Sequence, residues 1–266
     1  MAMALGKTQA VVIGRRALGE SDRLVEFYTR GFGKLRGVAK AARRPRSRFG
    51  SALEPFTLGE LVFFDTGRSE LVRVDHFDIV HPFVALREHL EKLGRGAWMV
   101  ECVARLSADR DPHDALFRLL VRALGALEAS SRPTWVSVCF AVRAVELIGL
   151  RPRLDRCSSC GRLFPFSPVA LDVTAGGLLC DRCRPDAAAI ALSPSAVGTL
   201  KRLRELRWAD VIRLPLALEL QGEVVAVIEG MIERLAGQAP RSSRYLAQMR
   251  RGLSRVAEPA PPGRRR

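Results

Sequence analysis

The sequence predicts an α+β protein in which an N-terminal OB-fold β-barrel precedes an all-helical domain that carries an inserted four-cysteine knuckle. Three observations support this prediction. Strand-length apolar runs separated by turn signals fill about the first 80 residues, apolar residues at helical spacing dominate after residue 81, and two Cys-x-x-Cys pairs interrupt the helical part. With 266 residues, of which 48% are hydrophobic, the chain can bury a sizeable core.

The barrel prediction depends on five short apolar runs separated by turn residues such as Gly19 and Gly50. The predicted strands are Ala10–Ile13, Leu24–Thr29, Lys34–Ala39, Leu58–Phe64 and Leu71–Ile79. In the third strand we expect Leu35 and Val38 to point inward. Five strands in so short a segment fit an OB-like barrel. An SH3-like barrel would give much the same pattern, so the periodicity leaves both open.

After His81-Pro82, apolar residues recur at three- and four-residue spacing, which predicts helices. The predicted helices are Phe83–Leu93, Gly96–Leu106, His113–Ala129, Pro133–Ile148, Ser195–Arg207, Ala217–Leu235 and Arg241–Val256. The chain is thus divided into a barrel (1–80), a first helical part (81–150), the cysteine insertion (151–190), a second helical part (191–256) and a disordered basic tail (257–266). Cys102 and Cys139 lie within the helical apolar pattern and are expected to be core residues.

The most one-sided charge in the sequence lies between Thr29 and Phe49, where eight basic residues occur without an acidic one. A solvated face normally mixes both signs, so this run indicates a polyanionic partner. Basic side chains on a sheet, followed by a basic loop stiffened by Pro45, suit phosphate contacts made without base reading. The predicted contacts are Lys34, Arg36, Lys40, Arg43, Arg44, Arg46 and Arg48, with Arg241 and Arg244 as weaker candidates. Phe32 and Phe49, beside the run, are the better candidates for stacking on bases.

The whole chain is basic, with 43 Lys and Arg against 28 Asp and Glu and a formal net charge of +15. That balance favours nucleic acid or an anionic membrane surface as a partner, although a GC-rich genome would also enrich arginine. No apolar run approaches the roughly 18 residues of a membrane span, and the N-terminus is a poor signal peptide. The sequence therefore predicts a cytoplasmic protein with no membrane partner, whose cysteines are reduced thiols or metal ligands.

The most specific pattern is a pair of Cys-x-x-Cys turns separated by nineteen residues. Each turn can direct two thiolates at one ion, and two turns complete a tetrahedral four-sulfur site. Because four cysteines leave no position for water, the pattern predicts one structural Zn²⁺ in a zinc-ribbon-like knuckle. The predicted ligands are Cys157, Cys160, Cys180 and Cys183, with a short hairpin between the turns. Two disulfides, a redox thiol pair and an iron–sulfur cluster are the alternatives.

No motif in the sequence predicts an enzyme. His-Glu-x-x-His, Gly-x-Ser-x-Gly and dinucleotide-binding patterns do not occur, and Gly6-Lys7-Thr8 lacks the earlier glycine of a phosphate-binding loop. A metal-dependent nuclease would need an acidic cluster, for which the late barrel segment offers Asp65, Glu70, Asp75 and Asp78. Solvated acids at strand edges are the stronger interpretation of these four residues. We therefore expect a protein without catalytic residues.

Several motifs occur in the order found in one bacterial family. They are Glu20-Ser21-Asp22-Arg23, Gly33-Lys34-Leu35-Arg36-Gly37, Leu53-Glu54-Pro55-Phe56, Leu147-Ile148-Gly149, the Cys157–Gly161 turn, Gly176-Gly177-Leu178 and Arg241-Ser242-Ser243-Arg244-Tyr245. Together they resemble the RecO recombination mediators over nearly the whole chain, from about Thr8 to Arg251. The Pro-rich arginine tail after Val256 departs from the family pattern.

The resemblance implies an OB-fold, a helical domain behind it and a zinc-ribbon-like insertion, as in the zinc-bearing members of the family. It also implies a non-enzymatic role in DNA repair: binding single- and double-stranded DNA, annealing complementary strands and partnering RecR. With RecR, such proteins help to load RecA onto gaps coated by single-strand-binding protein. The acidic C-terminal tail of that protein is a further expected partner.

The acidic and apolar character of that tail suggests a basic-rimmed apolar groove on the helical domain, although the sequence does not identify its residues. Two other hypotheses remain open. One is an OB-fold module that acts on RNA, which would prefer RNA over single-stranded DNA of the same length. The other is a metal-dependent nuclease, which would degrade DNA when magnesium or manganese is supplied.

Overall fold

The computed structural model describes residues 4–184 and 189–257, which form a β-barrel followed by a helical domain. The barrel strands are β1 (Ala4–Leu18), β2 (Asp22–Thr29), β3 (Gly33–Ala39), β4 (Leu58–Asp65) and β5 (Leu71–His81). The helices are α1 (Ala85–Glu88), α2 (Leu90–Leu106), α3 (Asp114–Ala129), α4 (Pro133–Leu147), α5 (Pro194–Glu205), α6 (Trp208–Arg213), α7 (Leu218–Leu235) and α8 (Arg241–Ala257). Three short strands, β6 (Val169–Asp172), β7 (Gly177–Leu179) and β8 (Ile190–Leu192), lie between α4 and α5. The predicted α+β architecture is confirmed.

The barrel closes in the strand order β1-β2-β3-β5-β4, because β1 pairs with both β2 and β4. Its strand pairs are antiparallel except for β3 and β5, which pair in parallel. This order is that of the five-stranded OB-fold barrel. It decides between the two barrels that the sequence periodicity left open.

The first strand is much longer than the predicted Ala10–Ile13. It runs from Ala4 to Leu18 because it serves two partners, pairing with β4 along its first part and with β2 along its second. A register shift between Val12 and Gly14 marks a bulge, which bends the strand as barrel closure requires. Residues 6–9 and 14–16 of the strand are glycine or polar, so the sequence shows a continuous apolar run only over Ala10–Ile13.

The barrel interior is filled by alternate residues of its strands, among them the buried side chains of Phe27 and Phe63. The prediction that Val38 points inward is wrong. Leu35 and Ala39 face the interior, and because side chains alternate along a strand, Val38 lies half-buried on the outer surface.

The sequence predicts separate helices over Phe83–Leu93 and Gly96–Leu106, and this division is wrong. Helix α1 is only 4 residues long, and α2 continues through both Gly94 and Gly96. The glycines permit close packing, since a Cβ on Gly94 would stand only 2.9 Å from the side chain of Leu246 in α8. Here tertiary contacts override the low helix propensity of glycine.

The barrel and the helical domain share a buried apolar interface. Val11 and Tyr28, on the outer faces of β1 and β2, belong to the same cluster as Trp98 of α2 and Phe117 of α3. The rings of Tyr28 and Phe117 are 6.4 Å apart. Burial raises the pKa of Tyr28 to about 12, so its hydroxyl stays neutral. The barrel is therefore held against the helices by apolar burial as well as by the polar contacts described below.

The cysteine-bearing segment is a three-stranded sheet in the order β7-β6-β8. Strands β6 and β7 form the predicted hairpin, whereas β8, which follows the second cysteine pair, was not predicted. The sheet has no separate core, because Leu171, Leu178 and Leu192 belong to the buried cluster of the helical domain. Helix α6 was also not predicted.

The last helix agrees with the predicted Arg241–Val256 to within one residue, since α8 ends at Ala257. From residue 258 onward, the predicted basic tail lies outside the described residues. Among the helices of the described ranges, none combines the length and apolar character that crossing a membrane requires.

Candidate nucleic-acid interface and metal centre

Strand β3 divides the basic run into two groups with different surroundings. Arg30 and Lys34 lie near its start, beside the helical domain, and the residues from Lys40 to Arg48 follow its end. A strand of 7 residues spans about 20 Å, so the two groups lie at opposite ends of the barrel. The run is continuous in sequence but does not form one surface.

The group beside the helical domain makes internal polar contacts. The ammonium of Lys34 donates to the carbonyl oxygen of Ala104 at 2.6 Å and pairs with Asp109 at 3.1 Å. Arg36 pairs with Glu70 at 2.9 Å and with Asp109 at 3.3 Å. These two predicted phosphate contacts therefore tie β3 to the loop after α2 and to the β4–β5 loop.

The loop between β3 and β4 (residues 40–57) is fixed on the end of the barrel. Ala42, Phe49 and Leu53 insert into the barrel core. The carboxylate of Asp22 accepts a hydrogen bond from the backbone amide of Ala41 at 2.8 Å. This bond is the largest of the effects that lower the pKa of Asp22, so the carboxylate stays ionised and keeps the loop base in place.

Five cations of this loop are exposed and form no salt bridge within the described chain; we call them the loop cations: Lys40, Arg43, Arg44, Arg46 and Arg48. Arg43 donates to the carbonyl oxygen of Gly19 at 2.8 Å. The guanidinium of Arg48 lies 5.1 Å from the centre of the Phe49 ring. These contacts orient two of the guanidinium groups without neutralising them. The loop is thus a concentrated positive surface.

The β1–β2 hairpin adds basic residues that the sequence analysis did not assign to the interface. Arg16 is exposed, and Arg15 and Arg23 lie 2.5 Å and 3.9 Å from the carboxylate of Glu54. The hairpin turn is next to the loop cations, since its Gly19 carbonyl accepts from Arg43. These arginines precede the acid-free run in sequence, and only the pairing of β1 with β2 carries them to the turn beside the loop.

The two predicted stacking residues have different environments. Phe49 is only 4% exposed, so the expectation that it stacks on bases is wrong; its ring fills the end of the barrel. Phe32 is 40% exposed and meets Phe63 edge-on, with 5.2 Å between ring centres. It precedes β3 and lies far from the loop cations, so any contact with a base there would be separate from theirs.

Arg241 and Arg244 lie exposed near the start of α8, which packs against α2. No contact within the described chain joins them to the loop cations. They belong to the surface of the helical domain.

The acidic residues of the late barrel segment are engaged with basic neighbours. Asp65 pairs with Arg110 at 2.5 Å, Glu70 pairs with Arg36, and Asp75 is 3.0 Å from its neighbouring histidine. Within residues 4–184 and 189–257, none of the acids considered for a nuclease joins a group with metal-binding geometry: Asp65, Glu70, Asp75 and Asp78. Their placement agrees with the interpretation as strand-edge acids.

The four predicted metal ligands come together. The Sγ atoms of Cys157, Cys160, Cys180 and Cys183 all lie within 4.8 Å of one another. A tetrahedron of sulfurs at zinc–sulfur bond length has edges of about 3.8 Å. The Cys160 and Cys180 sulfurs are 3.7 Å apart, and all four residues are free cysteines. The cluster has the dimensions of a four-sulfur site for one ion, and the disulfide alternative is not supported.

Backbone geometry shapes the knuckle. The amides of Gly161 and Cys183 donate to the carbonyl oxygens of Cys157 and Cys180, each at 3.0 Å, which closes both turns. Position 177 in β7 requires glycine because the backbone of Arg153 lies very close to it. A Cβ there would stand 2.4 Å from the carbonyl oxygen of Arg153. The first cysteine turn and the hairpin are thereby held together.

Local donors favour the thiolate form of Cys157. Burial acts to raise the pKa of this thiol, but hydrogen bonds from the amides of Cys160, Cys180 and Ser159 outweigh it and lower the pKa to about 6. The thiolate is the metal-binding form of cysteine. Four sulfur donors in this arrangement suit zinc or an iron–sulfur centre.

The remaining cysteines are core residues, as predicted. Cys102 and Cys139 are both fully buried in the helical domain. Burial raises the pKa of Cys139 to about 12, so its thiol stays protonated.

Comparison with known proteins gives the family. The family model described as "Recombination protein O N terminal" matches residues 3–83, and the one described as "Recombination protein O C terminal" matches residues 87–244. The chain belongs to the RecO family. The first RecO match ends between β5 and α1, where the barrel gives way to the helices, so the two matches correspond to the two parts of the fold.

Curated relatives cover nearly the whole chain. The DNA repair protein RecO of Anaeromyxobacter dehalogenans (strain 2CP-C) is 35% identical over 244 residues, which span 91% of this chain and 96% of the relative. The RecO of Myxococcus xanthus is 35% identical over 240 residues (90% and 96%), and that of Rubrobacter xylanophilus is 37% identical over 221 residues (83% and 86%). The resemblance noted in the sequence motifs is confirmed, and RecO membership supports a role in DNA repair and recombination.

Proposed function

We propose that this protein is a non-enzymatic recombination mediator. It binds single- and double-stranded DNA, anneals complementary strands and, with RecR, helps to load RecA onto gaps coated by single-strand-binding protein. The observation that carries the proposal is the group of loop cations, which are exposed, fixed at their base and form no salt bridge in the described chain. Membership of the RecO family supports it. Its expected location is the cytoplasm, in association with the nucleoid.

Annealing sets a specific physical demand. Two strands that repel each other must be held close, so a protein has to neutralise phosphates on both without binding the bases too specifically. Guanidinium and ammonium groups meet that demand, because phosphate contacts carry no direct sequence information. Lys34 and Arg36 are already paired internally, so we assign the phosphate contacts to the loop cations together with Arg16.

We expect the combined substitution of Arg43, Arg44 and Arg46 with alanine to weaken DNA binding at least about tenfold near physiological salt, whatever the DNA sequence. Three lost phosphate contacts should also lower the slope of log affinity against log salt by roughly 2 to 3. Fluorescence anisotropy with single- and double-stranded oligonucleotides across a salt series measures both quantities. An RNA oligonucleotide of equal length tests the alternative of an RNA-directed module.

The matched control removes the same charge from arginines that already have partners. Arg118, Arg156 and Arg162 pair with Asp114, Asp155 and Asp181 respectively. Their combined replacement with alanine should leave the salt slope close to that of the wild type, since each guanidinium is engaged in the protein. If both triple variants lost affinity equally, overall charge rather than the loop would explain the binding.

A groove on the helical domain has the character expected for the acidic tail of single-strand-binding protein. It has a volume of about 330 Å³ and lies between α3, α4 and α6. Arg118, Arg122 and Arg143 are among its basic residues, and Leu119 and Trp208 are among its apolar ones. The guanidinium of Arg143 lies 4.7 Å from the centre of the Trp208 ring. Charge complementarity therefore supports this groove as the place where the tail docks.

Replacing Arg122 with glutamate is expected to weaken binding of an acidic, partly apolar peptide about tenfold, because a like charge then faces the aspartates of the peptide. Titration of a fluorescent peptide measures the effect. The matched control is Arg202→Glu on α5, an exposed arginine that does not line the groove. Equal loss in the two variants would count against the groove.

We infer that the ion of the cysteine knuckle is zinc. Four cysteine ligands close the coordination sphere, which suits a structural role. The sulfur spacing, which has the dimensions of a site for one ion, supports this inference. When bound, the ion would link β7 to the turn before β6 and so stabilise the sheet.

A further inference from the structure

A cleft of about 480 Å³ lies between the segment that leads into the cysteine knuckle and helix α5. Six of its lining residues are charged, four of them cations and two of them carboxylates: Arg151, Arg153, Lys201, Arg204, Asp155 and Glu205. We call it the cationic cleft. Its volume is in the range of small-ligand sites and large enough for a nucleotide.

The floor of the cleft is built by a buried ion pair. Arg204, whose side chain is only 11% exposed, lies 2.7 Å from Glu146 and donates to the carbonyl oxygen of Pro152 at 2.8 Å. Glu146 also lies 3.5 Å from Arg151. One carboxylate is thus shared by two guanidinium groups, and over the whole lining the four cations outnumber the two carboxylates.

The mouth of the cleft carries Arg153 and Lys201, and Asp155 and Glu205 also line the cleft. Neither Arg153 nor Lys201 forms a salt bridge in the part of the chain that the structure describes. Asp155, the nearest acid to Arg153 in sequence, pairs with Arg156 at 2.9 Å. The mouth therefore attracts anions.

An aromatic surface adjoins these cations. The ammonium of Lys201 lies 5.1 Å from the centre of the Phe164 ring, and Phe164 meets Phe166 edge-on with 5.7 Å between ring centres. Phe164 is half-buried, so part of its surface is open to solvent. Cations that follow a phosphate chain beside an aromatic ring are the combination that binds single-stranded nucleic acid without sequence preference.

We propose that the cationic cleft is a second binding site for single-stranded DNA, which holds one strand while the loop cations hold the other. Arg153 and Lys201 contact its phosphates, and Phe164 stacks on a base. The proposal rests on the proposed function, because annealing requires two strands on one protein. The cleft belongs to the helical domain and the loop to the barrel, so the two strands are bound by separate parts of the fold.

The test compares full-length wild-type protein with the double variant Arg153→Ala/Lys201→Ala. A fluorescent oligothymidylate of about six nucleotides is short enough to occupy a single site. Titration at low salt is expected to give two oligonucleotides bound per wild-type chain and one per variant chain. Annealing of complementary strands should slow about tenfold, and the salt slope of oligonucleotide binding at the cleft should fall by roughly 1.4 for two lost phosphate contacts. Phe164→Leu should weaken oligonucleotide binding at the cleft without changing that slope.

The matched control is Arg202→Ala/Arg207→Ala, which removes two exposed arginines from α5 and the turn after it without changing the cleft lining or the partner of a lining residue. It is expected to bind two oligonucleotides. A cleft variant that still binds two would overturn the proposal, as would inorganic phosphate competing as well as the oligonucleotide at equal phosphate concentration, which would indicate a small-anion site. Because stoichiometry is read without annealing, failure of the wild type to anneal would count against the proposed function alone.

Discussion

Replacement of Cys157 with serine is expected to abolish metal binding at the knuckle and to lower the thermal midpoint by about 10 °C or more. A hydroxyl is a poor substitute for a thiolate, so the remaining three cysteines would hold the ion weakly. Cys157 and Cys180 are fully buried within the same cluster as the helices, so loss of the ion also disturbs the packing of β6, β7 and α5. Several kcal/mol of folding free energy are expected to be lost.

Metal content per chain, measured by atomic emission, and calorimetric unfolding together test this expectation. The same emission spectrum identifies the ion as zinc or iron. The matched control is Cys102→Ala, which removes a buried cysteine outside the cluster and should leave the metal content unchanged. Full metal occupancy in the Cys157 variant would refute the site.

The second large effect is expected at Gly33, where alanine should lower the free energy of unfolding by about 3 kcal/mol or more. Gly33 has a φ of +64°, and a Cβ there would stand 2.3 Å from the carbonyl oxygen of Asp111. Backbone, not a flexible side chain, occupies that space, so the loop after α2 would have to move away from the barrel. Urea denaturation measures the loss.

Gly19 separates the two causes of that loss. Its φ of +60° is nearly the same, but a Cβ there would meet nothing within 4 Å. Alanine at Gly19 should therefore cost only about 1 to 2 kcal/mol, the strain of the left-handed conformation. Equal losses at the two glycines would show that the backbone of Asp111 moves aside for a Cβ without a cost in free energy.

Much of the fold could be predicted because it depends on local patterns. The two Cys-x-x-Cys turns carry their geometry in their spacing, and the sulfurs of Cys157 to Cys183 converge accordingly. The barrel strands followed from apolar runs between turn residues. The length of β1 and the continuity of α2 could not be predicted, because they depend on distant partners: β4 for the strand, and Leu246 for the helix at Gly94.

The sequence predicted the exposure of only part of the candidate interface, again because some of its contacts depend on residues that are distant in sequence. An acid-free stretch is visible in sequence, and the loop cations within it are indeed exposed. The partners of Lys34 and Arg36, however, are Asp109 and Glu70, which lie far along the chain and reach the strand only after folding. Phe49 was misplaced because an aromatic ring that anchors a loop has the same sequence context as one that stacks on a base.

Under the proposed function, the anchoring of the loop between β3 and β4 has a consequence for how DNA is released. Since Ala42, Phe49 and Leu53 fix the loop during folding, a strand that binds it does not have to order it, and little conformational entropy is lost on binding. The guanidinium groups, held close together, repel one another until phosphates arrive. A loop that is already ordered before binding also needs no refolding before the strand departs. A surface of this kind suits a protein that must surrender the finished duplex.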